Sequence, residues 1–221
     1  VPPIRQVGTL NIRTLKPLLA YCPCNVQRAI QNSSADEDSI RDVCTVFLLF
    51  RGMEHLNGRE HVGTVDSIFR SLQRAIYIHE GILRQFVVDD KGAVAVIIVG
   101  FPYFHFSVAE QASRGVDIAL HARSSMRSLG IGVQCGVTTG TVFCGNVGKS
   151  STRCEYAAVG ADVNLSARFM GKDKKGNILV DSRTAEAASE VFLFMPLDHM
   201  LTLKGVEGPV QAYFPASVSR R

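Results

Sequence analysis

Residues 136–170 read GVTTGTVFCGNVGKSSTRCEYAAVGADVNLSARFM, and the parsing of this stretch decides what the rest of the chain can be. Two β-branched, apolar runs, 131–137 and 141–147, read as strands on either side of a turn at Thr138-Thr139-Gly140. Residues 161–170 then follow as an amphipathic helix. On it Asn164 and Arg168 stand four residues apart, so an amide and a guanidinium share one helical face. Such a pair can grip a sugar and a phosphoryl group together, or it can be no more than a solvated surface.

Upstream, residues 43–50 (VCTVFLLF) form a continuous apolar run, the pattern of a buried strand. Val62, Val65, Phe69, Leu72 and Ile76 recur at three- and four-residue steps and predict a helix over 61–82. Strands at 83–88 and 93–99 join through Asp89-Asp90-Lys91-Gly92, a hairpin signal. Ser107 caps a second helix reaching about residue 129. Downstream come a short strand at 177–181, a helix at 182–189, and strands over 191–214 around turns at Lys204-Gly205 and Glu207-Gly208-Pro209. The order is βαββαβ with additions, which predicts an α+β fold: a ferredoxin-like antiparallel sheet with helices packed on one face. Residues 1–42 read as a lead segment, with proline-interrupted helices over 15–30 and a polar linker after them; 43–215 is the domain, and 216–221 a tail.

Composition narrows the class. The chain has 221 residues, 46% hydrophobic and 20% charged, enough for one substantial core. A net charge of +4, spread along the chain, gives no footprint for nucleic acid. The longest apolar run, 93–101, is about half of a bilayer span, and residues 1–16 have no signal-peptide core. Of the six cysteines, Cys44, Cys135 and Cys144 lie in strand-like runs, and Cys22-Pro-Cys24 lacks metal-knuckle spacing. Reduced thiols in a cytoplasmic protein are expected.

Several tempting motifs fail on spacing. Gly145-Asn146-Val147-Gly148-Lys149-Ser150 ends like a phosphate loop, but Phe143 stands where the first glycine belongs and no helix pattern begins at Ser150. The triplets at Asn32 and Asn164 match glycosylation sites only formally. The histidines show no ligand spacing, and there is no nucleophile elbow. Asp89 and Asp90 could meet a hard cation, but neighbours on a strand point apart, and a solvated turn explains them as well.

One pattern is more specific. Gly136-x3-Gly140-x-Val142-Phe143-Cys144-Gly145-x-Val147-Gly148, followed by Arg153-x-Glu155-Tyr156-x3-Gly160-x2-Val163-Asn164-Leu165-x-Ala167-Arg168, resembles the signature of class III nucleotidyl cyclases. Its form is similar to the second cyclase half of soluble, bicarbonate-responsive adenylyl cyclases. Residues 46–50 resemble the family's first strand, and Leu203-Lys204-Gly205-x3-Pro209-Val210-x2-Tyr213 its C-terminal hairpin. The resemblance implies conversion of ATP to cyclic AMP and pyrophosphate where two cyclase domains pair head to tail. It implies that Asn164 orients the ribose and Arg168 stabilises charge on the α-phosphorus. Lys204 would contact the terminal phosphates, and Gln85, Val87 and Ala157 would lie around the base. Mg²⁺ or Mn²⁺ would come mainly on the partner domain, because Arg51-Gly52 stands where this half would carry its first metal aspartate, leaving Asp89 alone at the second. Gln85 and Ala157 also depart from the lysine and the Asp or Thr usual in adenylyl cyclases, and from the Glu and Cys of guanylyl cyclases. The alternative is a catalytically degenerate domain kept for regulation or assembly.

Overall fold

The computed structural model describes residues 38–53, 61–89, 92–101, 105–149, 153–173 and 175–218. The expected lead helices over 15–30, Cys22 and Cys24, the Asp90-Lys91 turn and Ser150 lie outside them. The chain runs β1 (Ser39–Arg51), α1 (Val62–Ile78), β2 (Ile82–Asp89), β3 (Gly92–Val99), α2 (Val108–Ser128), β4 (Gly132–Lys149), β5 (Arg153–Val159), α3 (Ala161–Lys172), β6 (Ile178–Val180), α4 (Ser182–Ala187), β7 (Phe192–Pro196), β8 (Leu201–Thr202), β9 (Pro209–Val210) and β10 (Tyr213–Val218). The main sheet has the order β2-β3-β1-β4-β6-β10-β7, with β5 also on β4 and β8–β9 a separate hairpin. The expected βαββαβ order is therefore present, and the first four strands lie as β2-β3-β1-β4, the ferredoxin-like arrangement. One pair departs from antiparallel: β6 runs parallel to β4, with Cys135 opposite Ile178.

Three details differ from the sequence reading. Helix α1 stops at Ile78 rather than 82 because the chain must turn sharply into β2. Glu80 takes φ +54°, and a Cβ on Gly81 would lie 2.7 Å from Ile118 Cδ1. The turn expected at 138–140 does not exist. Strand β4 runs through it, pairing Thr138, Thr139 and Gly140 with Thr45, Cys44 and Val43 of β1. Gly140 serves there as a gap, since a Cβ would overlap the Asp162 carboxyl group. Beyond it 143–149 pair antiparallel with β5, a strand hidden by its charged and alanine-rich sequence.

The helices also occupy both faces rather than one. On the core face, α1, α2 and α4 enclose a cluster that includes Val46, Leu48, Phe50, Ile68, Leu72, Ile97, Val116, Ile118 and Val137, each 0% exposed. Alternation along β4 turns Gly136, Thr138 and Gly140 to the opposite face. There α3 packs, and the β4–β5 hairpin folds back so that Tyr156 and Ala158 meet Val43, Ile82, Ile98 and Phe101. Leu201 and Leu203, on and beside the β8–β9 hairpin, pack with the inward-facing Phe169 of α3. Cys44, Cys135 and Cys144 are free and buried, and burial pushes the Cys44 thiol up to about 12 and that of Cys144 to about 11. They act as small apolar residues.

Candidate active site

Helix α3 sits unusually close to the sheet because the strand beneath it has no side chain at the contact. A Cβ on Gly136 would overlap the Ser166 carbonyl oxygen and lie 2.7 Å from the Met170 amide nitrogen. Two hydroxyls then pin the helix. Ser166, fully buried, directs its Oγ at the Gly136 and Thr45 carbonyls, at 2.8 and 3.1 Å. Thr138 Oγ1 donates to the Asp162 carbonyl at 2.7 Å. Burial raises the Asp162 carboxyl, with the nearby Arg183 charge opposing the rise. With Ser166 and Phe169 facing inward, the other side of the helix presents Asn164 and Arg168 to solvent. No carboxylate among the described residues pairs with Arg168. The shared face expected from the four-residue spacing is thus present, held by buried contacts on the opposite side.

The sheet floor beside α3 is set by register. Gln85 of β2 lies opposite Val96 of β3, Val96 opposite Phe47 of β1, and Phe47 opposite Gly136 of β4. One row along, Val87, Val94, Leu49 and Gln134 form a second line. Gln85 and Val87 are exposed, Phe47 and Val94 partly so, and α3 stands at the far end of the first row. At strand spacings of about 4.8 Å the floor from Gln85 to Gly136 spans roughly 14 Å. Ala157 is 9% exposed on β5, which Arg84 ties to β2 by an ion pair with Glu155 at 3.2 Å. Lys204 is exposed in the turn after Leu203, on the hairpin that packs against α3. Asn164 and Arg168 thus lie on α3, Lys204 on the hairpin packed against it, and Gln85 and Val87 on the same side of the sheet, while Ala157 lies on β5 between the two residues, Tyr156 and Ala158, that face the sheet.

The end of β1 is built against a metal ion. Arg51 Nε and Nη2 both donate to Gln134 Oε1, at 2.9 and 2.6 Å, which fixes a guanidinium where a cation would need a carboxylate. Gly52 follows with φ +85°. Among the described residues no three His, Cys, Asp or Glu side chains group as a metal site, and the side chain of Asp89 lies outside them. These residues do not fit a resident divalent ion.

Ser166, Gln134 and Arg84 were not among the residues expected at the site. Ser166 was legible only as the middle of a conspicuous motif, and the other two pairings join residues far apart in the chain. Two surface hollows of about 360 and 410 Å³ lie on the core-face side, against α2 and α4 and against α4 and β7, and include none of the site residues. No helix among the described residues is long and apolar enough to cross a membrane.

Comparison with known proteins agrees with this fold. The chain is 27% identical over 218 residues to human adenylate cyclase type 10, covering 91% of this chain and 13% of that protein's length. The adenylyl cyclase CyaB from P. aeruginosa superposes with a TM-score of 0.74 at 22% identity, over 84% of this chain and 98% of that one. The guanylyl cyclase Cya2 superposes with a TM-score of 0.65 at 26% identity, over 82% of this chain and 94% of that one. Residues 43–216, from within β1 into β10, match the adenylate and guanylate cyclase catalytic domain, and the chain belongs to that family.

Proposed function

We propose that residues 43–215 form one half of an adenylyl cyclase active site, with 1–42 as a lead segment. This half works at an interface with a second cyclase domain in the cytoplasm. The observation that carries the reading is the seating of α3: buried contacts on one side hold Asn164 and Arg168 side by side on the other. In the reaction the ribose 3′-oxygen bonds to the α-phosphorus of ATP while the bond to pyrophosphate breaks. Asn164 holds the ribose by its amide, and Arg168 takes up the charge that gathers on the α-phosphoryl oxygens. A guanidinium suits this task because it keeps its charge and its fork spans two oxygens. Lys204 meets the terminal phosphates, while Gln85, Val87 and Ala157 surround the base. Arg51 excludes a metal from this half, so Mg²⁺ or Mn²⁺ belongs to carboxylates of the partner.

A second reading has its own observation. Ala157 offers no side-chain hydrogen bond at the base, as expected of a half kept for assembly alone. Mixing the chain with a cyclase half that carries both metal-binding aspartates, ATP and Mn²⁺ separates the two. Cyclic AMP formed by the mixture and by neither half alone supports catalysis. A complex that assembles yet forms none supports the regulatory reading.

A further inference from the structure

Strands β2 and β5 are not hydrogen-bonded neighbours in the sheet, yet they carry Gln85 and Ala157, the two positions assigned above to the base. What joins them is side-chain contact. Arg84 Nη2 lies 3.2 Å from Glu155 Oε2, and Tyr156 of β5 packs in one apolar cluster with Ile82 of β2. The ion pair depends on a defect in β2. Its register against β3 shifts between Leu83 and Gln85, leaving Arg84 as the extra residue of a bulge. Leu83 turns to the core face, where it packs on the main cluster. With the alternation broken, Arg84 reaches β5 on the opposite face while Gln85 stays exposed beside it. Glu155 and Ala157, two apart on β5, share a side.

We infer that Arg84 and Glu155 are a positioning pair that sets base selectivity by fixing the gap between Gln85 and the backbone of β5. This rests on the adenylyl cyclase reading above. Ala157 brings no polar side-chain group, so what β5 offers a base at that position is its backbone and the closeness of its approach. Discrimination between purines then falls to the Ala157 backbone and to the Gln85 amide. An amide and a strand backbone recognise one donor–acceptor pattern only at a fixed separation, whereas a loose gap admits both purines. Neither Arg84 nor Glu155 needs to touch the nucleotide. The bulge supplies the reach, and the ion pair supplies the distance.

The test uses the chain reconstituted with a cyclase half bearing both metal-binding aspartates, with ATP and GTP as competing substrates. Arg84→Glu and Glu155→Arg, each placing like charges across the gap, should reduce the preference for ATP over GTP roughly fivefold, the scale of an exposed ion pair. The change should appear in KM with kcat little altered. Arg84→Lys should retain the preference, and the double exchange Arg84→Glu with Glu155→Arg should restore it. Thermal unfolding of each variant should stay near that of the parent, which separates positioning from misfolding. Unchanged selectivity in both single variants, or a double exchange that fails to restore it, overturns the inference while leaving the functional reading intact. A parent mixture that forms no cyclic nucleotide overturns both.

Discussion

The two faces of the sheet hold their helices with different emphasis. On the core face large side chains fill the space between strand and helix: Phe50, Ile68, Leu72, Ile118 and Met126 are essentially inaccessible to solvent. Where α3 lies on β4, Gly136 and Gly140 leave room for the helix and hydroxyls pin it, beside the apolar contacts of Phe169. A face closed through glycine and short hydrogen bonds fixes a helix in one place, as a pair of reacting side chains requires. The difference locates function better than burial alone does.

The largest effect that would sharpen this contrast is on the core face. Phe50→Ala should destabilise the domain by about 3–5 kcal/mol, because it empties a fully enclosed volume. Denaturant unfolding reads it directly, and a loss under about 1 kcal/mol would mean that this core is not continuous. On the α3 face one substitution at two glycines should give opposite signs. Gly136→Ala should cost about 1–3 kcal/mol, since its Cβ collides with α3 backbone. Gly171→Ala, near the end of that helix with nothing within 4 Å of a Cβ, should gain a few tenths of a kcal/mol. Equal effects at the two positions would break the account of how α3 is seated.

The smallest effect is in the pH dependence. Asp181 caps α4, accepting from the Thr184 and Thr139 amides at 3.2 and 3.3 Å. Burial nevertheless raises its carboxyl above the ordinary carboxylate value, the hydrogen bonds opposing only in part. The folded state then holds this proton more tightly than the unfolded state. Stability from this group therefore declines as pH rises from the ordinary carboxylate value through the raised one, and is recovered on acidification. Asp181→Asn keeps an acceptor for the cap and removes the titration. Its stability should gain on the parent across that window and stay parallel to it at higher pH. Parallel curves throughout would show that the proton is not held.

Much of the fold was legible because the core face obeys simple periods. The 3.6-residue stripe of α1, the apolar run of β1 and the Ser107 cap, which completes a reciprocal box with Glu110, all carry their structure in local sequence. The α3 face was harder to read, for one physical reason. A glycine within a strand and a glycine in a turn look alike until the packing partner is known. Thr138-Thr139-Gly140 therefore read as a break, although Asp162 fills the space its glycine leaves. The same ambiguity hid β5, whose strand character depends on pairing with 143–149 rather than on its own composition. The spacing of Asn164 and Arg168 was visible; the Ser166 hydrogen bonds that hold it are contacts across 30 and 121 positions and leave no local trace. Arg51 could be read as a missing carboxylate, but not as a guanidinium fixed by Gln134.

The central claim is that the rigidly seated helix presents Arg168 for the transition state. Single-turnover formation of cyclic AMP by the reconstituted pair, comparing the parent with Arg168→Ala, tests it most directly. The rate of the chemical step should fall about 10²–10³-fold, the scale for removing one preorganised charge donor. Stability should change by no more than about 0.5 kcal/mol, because the side chain is exposed. An unchanged rate in a folded, nucleotide-bound pair would contradict the account.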